Sequence, residues 1–118
     1  MIKDIVQKTL LFDFYGQLLT EKQRDIVELY YSDDLSLSEI SEQIGISRQG
    51  VYDALKRAEG ILEEYESRLG LVEKFLLQRS LLAKVSNMLD EIINANHDNI
   101  SDIKNKIKSI KSFVERLE

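Results

Sequence analysis

Cysteine is absent from the 118 residues, so a disulfide framework, a thiolate nucleophile and a zinc site built on sulfur are all excluded. Proline is absent too, and with it the strongest breaker of helices. Glycine is scarce, with five in the whole chain. Long apolar runs are missing: the longest are three residues, such as Leu10-Leu11-Phe12 and Phe75-Leu76-Leu77, too short for a membrane span or the apolar region of a secretory signal. Positive charge is in deficit, 16 Lys and Arg against 21 Asp and Glu, a net charge of −5, which is not the balance of a strongly basic nucleic-acid binder. A cysteine-free, span-free chain suits a reducing cytoplasm, which is the expected localisation.

What remains is rich in Leu, Ile, Glu and Lys and predicts an all-α fold of ordinary single-domain size. Apolar spacing predicts a first helix from Ile2 to Tyr15, ending at Gly16. Thr20 with Gln23, and Ser36 with Glu39, are capping boxes that open a second helix reaching Tyr31 and a short third helix. Gly45 stops the third, and Ser47 caps a fourth at once. Leu35 with Ile40 and Ile46 with Val51 occupy the positions of hydrophobic staples. The fourth helix continues through Val51, Leu55, Ala58, Leu62, Tyr65 and Leu69 to Gly70, weakened by Gly60.

Beyond Gly70 the turn signals disappear. A fifth helix is predicted over Leu71 to Ile93, with Phe75, Leu82, Val85, Leu89 and Ile92 on one stripe and Leu77, Leu81 and Met88 on another. After a polar linker, Ile100, Ile103, Ile107, Ile110, Val114 and Leu117 recur at three-four spacing and predict a sixth helix that folds back on the fifth as an antiparallel hairpin. The expected organisation is a helix-turn-helix unit over 1–70 and a C-terminal helical extension over 71–118. One hairpin partner cannot cover two stripes, so the extension is expected to form a homodimer unless the first helix covers the remainder.

The most specific feature runs from Leu37 to Leu55, where Ile40, Ile44, Ile46, Val51 and Ala54 surround Gly45 and the small Ser41 faces the crossing. Two short helices packed steeply over a glycine turn form a DNA-binding helix-turn-helix. With Leu19-Thr20, Gln23-Arg24 and Tyr30-Tyr31 upstream, the segment resembles the promoter-recognising region four of bacterial primary sigma factors. A closer resemblance covers Leu10 to Leu71: LLFDFYGQLLTEKQR, LYYSDD, SLSEISEQIGISRQGVYDALKR and EEYESRLGL look like the YlxM family of helix-turn-helix proteins. That resemblance implies a small bacterial cytosolic protein. Genes of the family commonly lie beside those of the signal recognition particle GTPase and its receptor, which implies a non-enzymatic regulatory or adaptor role in that pathway. The particle GTPase, its receptor and the particle RNA are the partners so implied.

For a nucleic-acid ligand, Ser47 caps the recognition helix, Arg48, Gln49, Tyr52 and Asp53 face base edges, and Lys56 and Arg57 reach phosphates. The alternative function is accordingly a DNA-binding transcriptional regulator. Charge opposes it: Thr20 to Gly60 holds five bases against nine acids, and the helix runs on into Glu59, Glu63, Glu64 and Glu66 where sigma-type recognition helices carry bases. A second candidate surface is the basic stripe Lys104, Lys108 and Lys111, with Lys106 nearby, suited to an RNA backbone or an acidic partner. The ordinary role of such a stripe is a solvated face. Tyrosines at helical spacing are expected at the rim of the core, with no chemistry assigned to them. His97 stands alone in the linker, without the partners of a triad or a metal site. No phosphate loop or nucleophile elbow is present, so an enzyme is not expected, and no cofactor is implied.

Overall fold

The computed structural model describes residues 2–95 and 100–117, and His97 lies outside them. Six α-helices carry these residues: α1 Ile2–Tyr15, α2 Glu21–Tyr31, α3 Leu37–Ile44, α4 Arg48–Leu69, α5 Leu71–Asn94 and α6 Ile100–Arg116. No strand occurs among the described residues. The chain divides into two compact units, Met1–Val72 and Glu73–Glu118.

Local chemistry sets the helix boundaries of the first unit. At the start of α2 the Gln23 amide donates to the Thr20 hydroxyl at 3.2 Å while the Thr20 backbone N–H donates to the Gln23 side chain at 3.1 Å. Ser36 and Glu39 repeat the exchange at 3.1 and 3.2 Å. Each box satisfies donors that a helix end otherwise leaves orphaned. Gly45 ends α3 in the left-handed region at φ 84°, a conformation costing an L-residue about 1–2 kcal/mol. Across that turn the Ser41 hydroxyl donates to the Ile46 carbonyl at 2.5 Å, so the residue expected at the crossing also locks it. A 3-10 turn at Gly16–Leu18 links α1 to α2 and is not evident from apolar spacing.

The core of this unit is built where α1, α2 and α3 meet α4. Leu11 and Tyr15 from α1, Ile26 and Val27 from α2, Ile40 from α3, and Val51, Leu55, Ala58 and Leu62 from α4 are buried. On α4 these last four follow three-four spacing, so one face is used up in the core and the other is left to solvent. Gly60 does not interrupt α4, because the packing of that buried stripe outweighs a propensity cost of about 1 kcal/mol.

In the second unit α5 and α6 form a helical hairpin. The Lys84 ammonium lies 5.8 Å from the centre of the Phe113 ring, which sets the middle of α5 beside the C-terminal part of α6, the register of an antiparallel pair. Leu81 and Ile110 are the buried hydrophobics here. The apolar residues divide differently from the stripes read in the sequence. Leu81, Val85, Met88 and Ile92 turn inward on α5, whereas Leu82 and Leu89 are exposed. On α6, Ile103 and Ile110 turn inward while Ile100, Ile107 and Val114 are exposed. A single partner helix covers a seam narrower than a three-four stripe, so part of each stripe is left uncovered.

Candidate nucleic-acid interface

The turn at Gly45 and the Ser47 cap bring α4 out of the core with its first turns free. The Gly50 amide donates to the Ser47 hydroxyl at 3.0 Å, which fixes where the helix begins. Ser47, Arg48, Gln49, Tyr52, Asp53, Lys56 and Arg57 are all exposed. At 3.6 residues per turn the six from Arg48 onward occupy one arc of about half the circumference, with Arg48 at one edge and Arg57 at the other, about 14 Å farther along the axis, while Ser47 caps the helix outside that arc. Six of the seven residues predicted from sequence therefore share one surface, and the seventh, Ser47, caps the helix that carries them.

That surface is partly preorganised. The Gln49 amide donates to the Asp53 carboxylate at 3.0 Å, tying two candidate base-reading groups together. Tyr52 is 45% exposed, and the Lys56 ammonium lies 5.6 Å from its ring centre, within cation–π range. Tyr52 also lines a shallow cleft with Leu37, Arg48 and Gln49. Two cations at its edges, with Lys56 and Asp53 between them, leave the arc locally positive despite the acidic segment around it.

Of the acids counted against nucleic acid, Asp53 lies on this arc, and those on the later turns of α4 are largely engaged or set apart from it. Glu59 turns inward, where it accepts from the Tyr31 hydroxyl at 2.5 Å and lies 3.6 Å from Lys8 and 3.5 Å from Lys56. Glu66 accepts from Tyr15 at 2.6 Å and from the Val72 amide at 2.9 Å. Glu64 pairs with Arg68 at 3.1 Å. Glu63 and Glu64 stand about 10 Å beyond Lys56 and Arg57 along the helix, farther than the roughly 8 Å Debye length at physiological salt. Burial, then the bond to the carboxylate, push the Tyr15 and Tyr31 hydroxyls above their ordinary pKa.

These two inward acids were missed by a count over a window. The signal was present: Glu59 and Glu66 each lie four residues after a buried leucine of α4, Leu55 and Leu62, on the edge of its apolar face. Their tyrosine partners are remote in sequence and carry no local signal. Tyr15 is more than a rim residue, being 1% exposed.

In the second unit Lys104, Lys108 and Lys111 are exposed, and Lys106 is half-buried. Lys111 lies 3.9 Å from Glu115, one helical turn on. The described residues hold no cluster of three or more metal-ligating side chains, and none of their helices is long and apolar enough to cross a membrane.

A family model described as "Putative helix-turn-helix protein, YlxM / p13 like" matches residues 2–111. The UPF0122 proteins of Bacillus mycoides (strain KBAB4), Bacillus thuringiensis (strain Al Hakam) and Bacillus cereus (strain AH187) are each 42% identical to this chain over 118 residues, covering 100% of both sequences.

Proposed function

Since the chain belongs to the YlxM / p13-like helix-turn-helix family, we propose that it is a cytoplasmic, non-enzymatic regulatory or adaptor protein of the signal recognition particle pathway. Its contact surface is the exposed arc of α4. The observation that carries this reading is the gathering of Arg48, Gln49, Tyr52, Lys56 and Arg57 on one solvent-facing arc. The place in the pathway is supported by the family resemblance, with the particle GTPase, its receptor or the particle RNA as partner. The lysines of α6 offer a second surface to an acidic partner.

Affinity capture of the tagged full chain from native lysate, with and without nuclease, tests this. Retention of a particle protein or of the particle RNA is the expected result. Recovery of neither overturns it.

A second reading, a DNA-binding transcriptional regulator, is favoured by one observation. With Glu59 turned inward against Tyr31, the arc has fewer solvent-facing acids beside it than its sequence window contains. Three cations supply few phosphate contacts, so a single copy is expected to hold random duplex DNA weakly at physiological salt. Selection of a defined duplex from a random pool favours this second reading.

A homodimer through the hairpin belongs to the same proposal. Leu82 and Leu89 on α5 and Ile107 and Val114 on α6 are between 44% and 54% exposed. They are offset in the same sense from the seam of an antiparallel pair, and so open onto one face. A two-helix unit with little buried apolar material gains most from covering that face with a second copy.

A further inference from the structure

We propose that a phosphate of a nucleic-acid backbone seats in the cleft between the first turn of α2 and the outer edge of α4, held by Lys22 and Arg57. The inference rests on the reading of α4 as a nucleic-acid surface and adds a residue, Lys22, from a different helix.

The cleft is lined by Lys22 and Gln23 on one side and by Gly50, Ala54 and Arg57 on the other, with Ile46 in its floor. Its lining carries two cations and no carboxylate. Both cations are exposed, and among the described residues neither belongs to any of the ion pairs formed. By contrast Lys8 and Lys56 are engaged by Glu59 and Arg68 by Glu64. Lys22 also borders the neighbouring cleft between α2 and α3, where Asp25, Glu28 and Asp33 stand; the negative charge of that cleft repels a phosphate toward the Arg57 side of the lysine.

The residues on the α4 wall suit close approach. Gly50 and Ala54 present almost no side chain, so a backbone strand can lie against the helix. Gln23 adds an amide, although it is already engaged in the α2 capping box through its Oε1, which leaves its NH2 free to donate. Arg57 sits at the opposite edge of the α4 arc from Arg48, so the two bracket Gln49 and Asp53. A double helix presents the same order, base edges in a groove flanked by two phosphate backbones. Lys22 and Arg57 grip one backbone, on the far side of Gln49 and Asp53 from Arg48.

Fluorescence anisotropy of the full chain with a labelled random duplex DNA and a labelled RNA hairpin, each over a salt series, tests the cleft. Lys22→Ala and Arg57→Ala are each expected to lower the slope of log K against log salt by about one and to weaken all sequences alike. Lys22→Arg is expected to bind as the parent does, and Lys74→Ala, in the other unit, to have no effect. The probe that shows the slope change identifies the source of the phosphate. If Lys22→Ala keeps the parental affinity and slope while Arg48→Ala weakens binding, the cleft assignment is overturned and the reading of α4 stands. If the parent binds neither probe at the lowest salt, both are overturned.

Discussion

The buried hydroxyl of Tyr15 donates to the Glu66 carboxylate at 2.6 Å, joining the end of α1 to the last turns of α4. The same two groups receive the first backbone donors of α5, Leu71 to the Tyr15 oxygen at 3.0 Å and Val72 to Glu66 at 2.9 Å. Thus Gly70, left-handed at φ 63°, is followed by a helix whose first N–H groups are capped by one side chain far away in sequence, Tyr15, and one from the preceding helix, Glu66.

Tyr15→Phe keeps the ring and removes this junction. It takes the acceptor from the Leu71 amide and one of two donors from Glu66 Oε1, which keeps the Val72 amide, and is expected to lower stability by about 1–3 kcal/mol. Glu66→Gln retains an acceptor and is expected to cost less. Urea unfolding of both variants, compared by midpoint at constant slope, checks the order.

Tyr15 and Tyr31 both hold their protons more firmly in the folded chain than the ordinary value of 10.0. A raised folded pKa gives stability that is fully present below the unfolded value and is lost as pH rises above it. Stability is therefore expected to be flat near neutrality and to fall above pH 10, as the unfolded tyrosines ionise first. Tyr31→Phe is expected to make that fall shallower. Thermal melts across an alkaline series, with tyrosinate absorbance as the second readout, measure it.

Two glycines are expected to respond oppositely. Gly60 is exposed within α4, and a Cβ built on it meets nothing within 4 Å. Gly60→Ala is thus expected to raise stability by about 0.5–1 kcal/mol. Gly45 also has open space but sits at φ 84°, so Gly45→Ala is expected to lower stability by about 1–2 kcal/mol. Thermal midpoints of the pair separate steric room from backbone strain.

The hairpin face gives a further expectation. Leu89→Glu places a charge on the proposed dimer surface, where Leu89 is 44% exposed in the single chain, so the monomer tolerates it while the dimer does not. Sedimentation equilibrium is expected to show a dimeric parent and a monomeric variant. A monomeric parent at micromolar concentration contradicts the dimer.

Helix ends were legible because their signals are local. Thr20, Ser36 and Ser47 accept from amides three residues on, and Gly45 and Gly70 adopt left-handed φ. The six candidate residues of α4 were legible for the same reason, since spacing alone decides which side of a helix faces away from Val51 and Leu55. The role of each acid was not. A window sum gives Glu59, Glu63 and Glu66 equal weight, whereas the fold pairs Glu59 with Lys8 and Tyr31 and uses Glu66 as a cap. The cleft between Lys22 and Arg57 was hidden likewise, because its two walls come from different helices. The outward half of α6 was hidden because three-four spacing marks apolar residues without saying how many a partner covers.

The central claim, that the exposed arc of α4 is the contact surface of a signal recognition particle regulator, is tested most directly by equilibrium binding of the purified full chain to the purified particle GTPase and particle RNA. The Arg48→Ala/Arg57→Ala double variant is measured beside the parent. The parent is expected to bind one of them, and the double variant to bind it about tenfold or more weakly, as loss of charged contacts requires. Undiminished binding by the double variant, or no binding by the parent to either component, contradicts it.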